Sequence, residues 1–194
     1  MRRRTFDALL TTGGLILAMV LVVGGGLLTW AHSFVSDQVT TQLSAQQIYF
    51  PPKGNDALAS PQIKPYLEQY AGQQLTTGQQ AQAYADHFIA VHIAEMTGGK
   101  TYAQLSAASL ADPNNATLAA EVNTVFKGET LRGLLLNSYA FWKMGQIALY
   151  GAIAAFIGAG LMLVLSLLGL AHLRRVPDEQ EVKVGLHHER AVTA

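Results

Sequence analysis

Four side chains that could carry acid–base or metal chemistry lie close together in the chain: Asp86, His87, His92 and Glu95. A helix turns by about 100° per residue, which places His92 about 40° from Phe88 and Glu95 about 20° from it on the other side. Both side chains then lie beside an apolar stripe, where a polar group needs a hydrogen-bond partner. His87 is about 140° from His92 around the axis, so the two histidines cannot form an i, i+4 metal pair.

His92 and Glu95 allow two interpretations. A two-histidine, one-carboxylate iron site would use both, with a further ligand from elsewhere in the chain. Alternatively, both lie at the C-terminal end of a helix, partly solvated, and the histidine bonds to Glu95 or to a free carbonyl. We favour the second interpretation, because one polar pair is weaker evidence than a complete ligand set. The sequence therefore predicts no catalytic residue, cofactor or metal, and only His92 and Glu95 remain as metal candidates.

Composition excludes several other chemistries. The chain has no cysteine, which rules out disulfides, thiolate metal sites and cysteine nucleophiles. It also has no glycine-rich phosphate loop, nucleophile elbow or metalloprotease helix motif. Thirteen basic and thirteen acidic side chains cancel, so nucleic acid is not an expected partner. Glu129 and Arg132 have the i, i+3 spacing of an ion pair on a helix surface.

The elements that position these residues include two membrane segments. Half of the chain is hydrophobic and only 13% is charged, against about a quarter in ordinary soluble proteins. Residues 8–31 and 144–173 contain no Asp, Glu, Lys or Arg. About 20 apolar residues in a helix cross the hydrocarbon core, so each run is long enough to span it. The sequence thus predicts a multi-pass membrane protein, with the lipid bilayer as an expected partner.

Charged and aromatic flanks predict the orientation of the two spans. Basic residues stand before the first span and after the second, which places both termini in the cytoplasm: Arg2, Arg3, Arg4, Arg174 and Arg175. Aromatic residues at the opposite ends predict the outer membrane interface: Trp30, Phe34, Phe141 and Trp142. The expected organisation in the plasma membrane is a cytoplasmic N-terminus (1–7), a span (8–31), an extracytoplasmic domain (32–143), a second span (144–173) and a disordered cytoplasmic tail (174–194).

A cleaved export signal is the alternative for the N-terminus. Arg3-Arg4-Thr5-Phe6 is similar to a twin-arginine signal, and Thr29-Trp30-Ala31 has the composition of a cleavage site. Cleavage would leave one membrane anchor. The apolar run is longer than the apolar core of a signal peptide, which has about 7–15 residues, and this length favours retention as a span.

Small residues in the second span indicate a helix-packing face. Gly151, Ala155 and Gly158 have small-xxx-small spacing, which allows helix backbones to approach closely in lipid. This face packs either on the first span of the same chain or on a membrane partner, which is another protein or a second copy of this chain.

The region between the spans has helical periodicity and no strand alternation. The first helix should extend to about residue 48 and end at Pro51-Pro52. Further helices are expected at residues 60–71, 77–97, 101–110 and 116–126, and from about residue 129 into the second span. The predicted fold class is an all-α membrane protein, with two transmembrane helices extended into an irregular extracytoplasmic helical bundle.

Three segments carry a family resemblance: QIYFPP at 47–52, YLEQYAGQQLTTGQQAQAYADHFIAVH at 66–92 and FKGETLRGLLLNSYAFWKMGQI at 126–147. They resemble a family of uncharacterised two-span membrane proteins from actinobacteria, often labelled aromatic ring-opening dioxygenases. The resemblance covers most of residues 40–150. It implies the two-span architecture and assigns no catalytic residue to any position of this chain.

Three functions follow as hypotheses. The leading one is a non-enzymatic accessory or scaffold protein of the inner membrane that presents a helical domain outside the cytoplasm. The second is a ligand-binding sensor domain that works with a partner, because a domain held between two membrane helices suits signal transmission. The third, which we favour least, is a metal-dependent aromatic ring-opening dioxygenase that uses His92 and Glu95.

Overall fold

The computed structural model describes residues 3–175, with side chains from residue 4 onward. The described part is all-α, as predicted, and contains no strand. Its α-helices are α1 (Arg3–Ala45), α2 (Lys64–Leu67), α3 (Gly78–Tyr84), α4 (Ala90–Thr97), α5 (Tyr102–Ala111) and α6 (Ala116–Leu173). A π-helical turn, Ala85–Ile89, joins α3 to α4, and short 3-10 turns occur at Asp56–Leu58 and Glu68–Tyr70.

Two helices, α1 and α6, are long and apolar enough to cross a membrane. They contain 43 and 58 residues. Within the most apolar 18-residue stretch of each helix, only 11% is buried. A core helix of a water-soluble protein buries its apolar residues, whereas these leave them exposed. This exposure is what a lipid-facing helix requires, and it supports the prediction of a membrane protein.

The long helices differ from expectation at two points. We predicted a break near Lys127-Gly128, but α6 continues through both residues. A Cβ at Gly128 would lie 2.7 Å from Ile93 Cδ1, so this glycine permits a close side-chain approach instead of ending a helix. Helix α1 ends at Ala45, before the predicted proline stop, because Gln47 turns the backbone into the left-handed region with φ of 53°.

Helices α3 to α5 begin and end close to the bounds predicted for residues 77–97 and 101–110. Thr77 and Gln80 form a capping box at the start of α3, and Thr101 and Gln104 form another at the start of α5. Gly98 ends α4 in the left-handed conformation with φ of 59°. The helix predicted at 60–71 was wrong in its extent. Only α2 and a 3-10 turn form there.

Contacts divide the chain into two compact units. Of the described residues, 3–29 and 150–175 form the span unit, and 30–149 form the domain. The domain core is built from fully buried apolar side chains of both long helices and of the segments between them: Leu43, Phe50, Leu67, Leu75 and Leu135. Tyr84 packs against this core, and burial raises the pKa of its phenol.

In the span unit, two glycines of α6 lie against leucines of α1. A Cβ at Gly151 would lie 3.2 Å from Leu28 Cδ1, and one at Gly158 would lie 3.3 Å from Leu21 Cδ1. Ala155, between the two glycines, is half-buried. These small residues therefore leave room for leucines of the first span in the same chain.

Two matching contacts join α1 and α6 near the start of α1 and the end of α6. Gly14 of α1 lies beneath Ser166 of α6, and Gly169 of α6 lies beneath Thr11 of α1. Ser166 and Thr11 are both buried. Each hydroxyl side chain occupies the space left by a glycine on the opposite helix, which is the packing that close helix approach in lipid requires.

Candidate functional site

The predicted metal candidates do not form a ligand pair. His92 Nδ1 lies 2.7 Å from the carbonyl oxygen of Phe88, and because a carbonyl only accepts, Nδ1 carries the proton. Glu95 is exposed, and no hydrogen bond or ion pair in the described residues joins it to His92. Within residues 4–175, no three His, Asp or Glu side chains are grouped so that they could hold a metal ion. The histidine is satisfied by the carbonyl of Phe88 in the preceding turn, and not by Glu95 or by a carbonyl at the end of the helix.

The π turn changes the angular spacing of residues around the helix axis, from which the positions of His92 and Glu95 were predicted. The N–H of Ala90 bonds to the carbonyl of Ala85, five residues back instead of four. This wider turn displaces every later residue around the axis relative to a regular α-helix. Such turns are rare and often mark functional sites. Here the π turn carries Asp86 and His87, and the His87 ring stacks on Tyr66 with centroids 3.5 Å apart.

Arg132 links the π turn to α6. Its Nη2 lies 3.3 Å from Asp86 Oδ1, and its Nη1 lies 3.4 Å from Glu129 Oε2. The Glu129–Arg132 pair was predicted from its spacing, but the Asp86–Arg132 pair joins residues 46 positions apart and was missed. About one third of each of the Asp86 and Arg132 side chains is exposed. Both carboxylates hold the terminal guanidinium nitrogens, while the buried Nε has no partner within the described part of the chain.

A groove of about 530 Å³ lies beside Arg132. Its walls come from α4, from the turn between α4 and α5, and from α6. Its lining includes apolar side chains of α4, namely Ala90, Ile93 and Ala94, together with polar or charged ones: Thr97, Lys100, Tyr102, Glu129 and Arg132. The groove is open to solvent along much of its extent.

Thr97 is the unusual member of this groove. The residue is only 5% exposed, and its Oγ1 has no hydrogen-bond partner among residues 4–175. A buried hydroxyl without a partner costs free energy, so such groups are few in native structures. Sequence reasoning missed Thr97, because a threonine before Gly98-Gly99 is typical of a helix end.

The predicted interface aromatics differ in their surroundings. Trp30 and Phe34 are exposed and stack on each other with centroids 5.6 Å apart. Phe141 is exposed as well. Trp142 is partly buried and packs against the domain core, and its Cβ and Cγ lie over Gly78.

The predicted topology residues lie at the ends of α1 and α6. Arg4 lies in the first turn of α1. Arg174 and Arg175 are exposed in the turn after α6. Arg2, the side chain of Arg3 and the tail beyond Arg175 lie outside the described residues, as does the prediction that this tail is disordered.

Comparison with known proteins adds no relative. No family model, curated protein or solved structure matches the chain. The resemblance to two-span actinobacterial proteins stays a prediction, and function is inferred from the chain's own geometry.

Proposed function

We propose that this chain is a two-span protein of the cytoplasmic membrane that acts as a non-enzymatic accessory or scaffold. It holds the domain of residues 30–149 outside the cytoplasm, where the domain binds another component of the cell envelope. The observation that carries this proposal is that each apolar helix continues unbroken into the domain core. Helix α1 contains both a candidate span and the buried Leu43, and α6 contains both a candidate span and the buried Leu135.

Charge supports the proposed orientation. Arg4 is at the start of α1, and Arg174 and Arg175 follow α6, so basic residues flank the same end of both apolar stretches. Lys and Arg near the ends of a span favour the cytoplasmic side. Exposed Trp30 and Phe34 follow the first apolar stretch, as expected at the outer interface.

Exposed apolar side chains support a binding role for the domain. Leu110 is 80% exposed and Phe126 is 53% exposed. Phe126 also contacts the ring of Tyr102, which is itself exposed, with centroids 5.8 Å apart. Aromatic side chains are enriched where proteins bind one another.

Site-specific photo-crosslinking in living cells tests this role. A photoreactive residue replaces Leu110 or Phe126 in the full chain, and Gln79 and Asn114, both exposed and polar, serve as control positions. We expect one discrete adduct from Leu110 or Phe126 and none from the controls. The same partner should co-purify with the parent protein, and Phe126→Ser should remove most of it. Equal crosslinking from all four positions, or no adduct from any of them, contradicts the proposal.

A further inference from the structure

We propose that a groove between α1 and α6 in the domain binds the sugar headgroup of a neutral glycolipid. The groove has a volume of about 350 Å³ and is lined by residues of these two helices. The inference goes beyond the scaffold role, because it gives the chain a lipid ligand of defined chemistry. It rests on the membrane placement in that proposal, since a lipid reaches the groove only from an adjoining bilayer.

Packed contacts bound the groove along both helices. Before the groove in α1, His32 Nδ1 donates to the carbonyl oxygen of Gly145 over 2.9 Å. A Cβ on Gly145 would lie 3.3 Å from Cγ1 of Val35, which itself lines the groove. Beyond the groove, Leu43 and Leu135 are fully buried in the domain core. The two helices are thus held in place at both ends of the groove, as in binding sites that are largely formed in advance.

Uncharged hydrogen-bonding groups make up the polar part of the lining. Gln38, Gln42 and Asn137 are exposed, and their side chains make no hydrogen bond to another residue in the described part of the chain. Each carboxamide offers two donor hydrogens and an acceptor oxygen. Ser138 Oγ donates to the carbonyl oxygen of Leu134 over 3.1 Å, which leaves the Ser138 oxygen as a further acceptor. A sugar hydroxyl both donates and accepts, so it matches this mixture of groups.

The charge of the lining separates sugars from phosphate headgroups. Proteins hold lipid phosphates with Lys and Arg side chains. None of the described residues that line the groove is charged. Phosphatidylglycerol or cardiolipin would lose water from its phosphate here without gaining a cation, whereas an uncharged sugar has no such cost.

Aromatic rings supply much of the apolar part of the lining. Phe34 of α1 and Phe141 of α6 are both exposed, and the Phe34 ring stacks on Trp30 with centroids 5.6 Å apart. One face of a sugar ring carries mainly C–H groups, and an aromatic ring covers such a face with apolar contact. Carboxamides together with aromatic rings therefore fit a sugar better than they fit a purely apolar chain.

The position of the groove along the helices fits a lipid headgroup. Phe34 comes three residues after the uncharged run 8–31, and Phe141 comes three residues before the run 144–173. Three helical residues rise about 5 Å, so both rings fall within a headgroup layer of about 5–7 Å. From Phe34 to Gln42 the groove extends about 12 Å along α1. It therefore reaches beyond the layer of phosphates, which favours a headgroup of two linked sugars.

Native mass spectrometry of the full chain, released from lipid nanodiscs, tests the site. The nanodiscs contain equal amounts of diglucosyl diacylglycerol and phosphatidylglycerol, with the same acyl chains, in phosphatidylcholine. We expect the chain to retain the glycolipid about tenfold over phosphatidylglycerol, the effect of one or two net hydrogen bonds. Soluble maltose at millimolar concentration should not displace the glycolipid, because the bilayer keeps it at a high local concentration.

The double variant Gln38→Met, Gln42→Met separates recognition from folding. Methionine has nearly the length of glutamine and forms helices well, but it lacks the amide donors. The preference for the glycolipid should fall about fivefold, with the melting temperature unchanged. The matched control, Gln46→Met with Gln79→Met, changes two exposed glutamines outside the groove and should keep the preference.

The inference is overturned by equal retention of both lipids, by equal preference in the two double variants, by displacement of the glycolipid with maltose, or by a dimer of the chain that only the groove variant loses. A chain that stays in the nanodiscs and gives any of these results leaves the scaffold proposal standing. A chain that does not enter the nanodiscs contradicts the two-span placement, and the inference fails with it.

Discussion

Phe50→Ala is expected to destabilise the domain by about 3–5 kcal/mol, the cost of truncating a buried phenylalanine. Phe50 is 2% exposed, and its ring lies 5.2 Å from that of Tyr70 and 5.4 Å from that of Tyr84, between centroids. Its backbone N–H also bonds to Gln73 at 2.9 Å, which ties two irregular segments together. Alanine would leave a cavity where these segments meet, and neither is a regular helix that could move as a unit to fill it.

Phe126→Ala is the matched control, because Phe126 is 53% exposed. Its effect should stay below about 1 kcal/mol. Urea denaturation of the full chain in nanodiscs, followed by tryptophan fluorescence, measures both variants. Equal loss of stability in the two would contradict the assignment of Phe50 to the domain core.

Gly78→Ala is expected to cost the domain about 1–3 kcal/mol by overpacking. Gly78 is buried at the start of α3, and a Cβ there would overlap Cβ and Cγ of Trp142. Those atoms lie close to the backbone of α6 and not at the flexible end of a side chain. Helix α3 or α6 therefore has to shift to admit a single methyl group.

Gly133→Ala is the control for this substitution. Gly133 is in α6, and nothing lies within 4 Å of a Cβ built on it. Alanine should stabilise the helix there by up to about 1 kcal/mol, because glycine is a poor helix former. The two glycine variants should therefore shift the melting temperature in opposite directions. A shift of the same sign in both would show that Gly78 does not lie against Trp142.

Much of the fold could be predicted from local signals. Threonine caps and Gly98 set the ends of α3, α4 and α5, since capping depends on residues within one turn. The break predicted between residues 126 and 129 was wrong, and Gly128 instead admits the side chain of Ile93, which only the folded chain brings near. A glycine that ends a helix and one that admits a neighbour look the same in a sequence.

The candidate site was harder to predict than the fold. The sequence predicted His92 and Glu95 beside an apolar stripe and named Asp86 as a further candidate, but it did not predict the partners of Asp86 and His92. The π turn has no known local signal in this stretch, and it changes which residues share a face. Arg132 reaches Asp86 across 46 residues, a distance over which spacing rules carry no information. The unpaired hydroxyl of Thr97 likewise becomes visible only when its surroundings are known.

Single-cysteine accessibility tests the two-span orientation most directly, because the chain has no cysteine of its own. Lys53→Cys places a thiol on an exposed turn of the domain, Thr5→Cys places one at the exposed start of α1, and a third protein carries a cysteine added at the C-terminus. A maleimide that cannot cross membranes should label the Lys53→Cys protein in intact cells. It should label the other two only after the cells are permeabilised. Labelling of all three proteins in intact cells, or protection of Lys53→Cys, would contradict a domain held outside the cytoplasm by two spans.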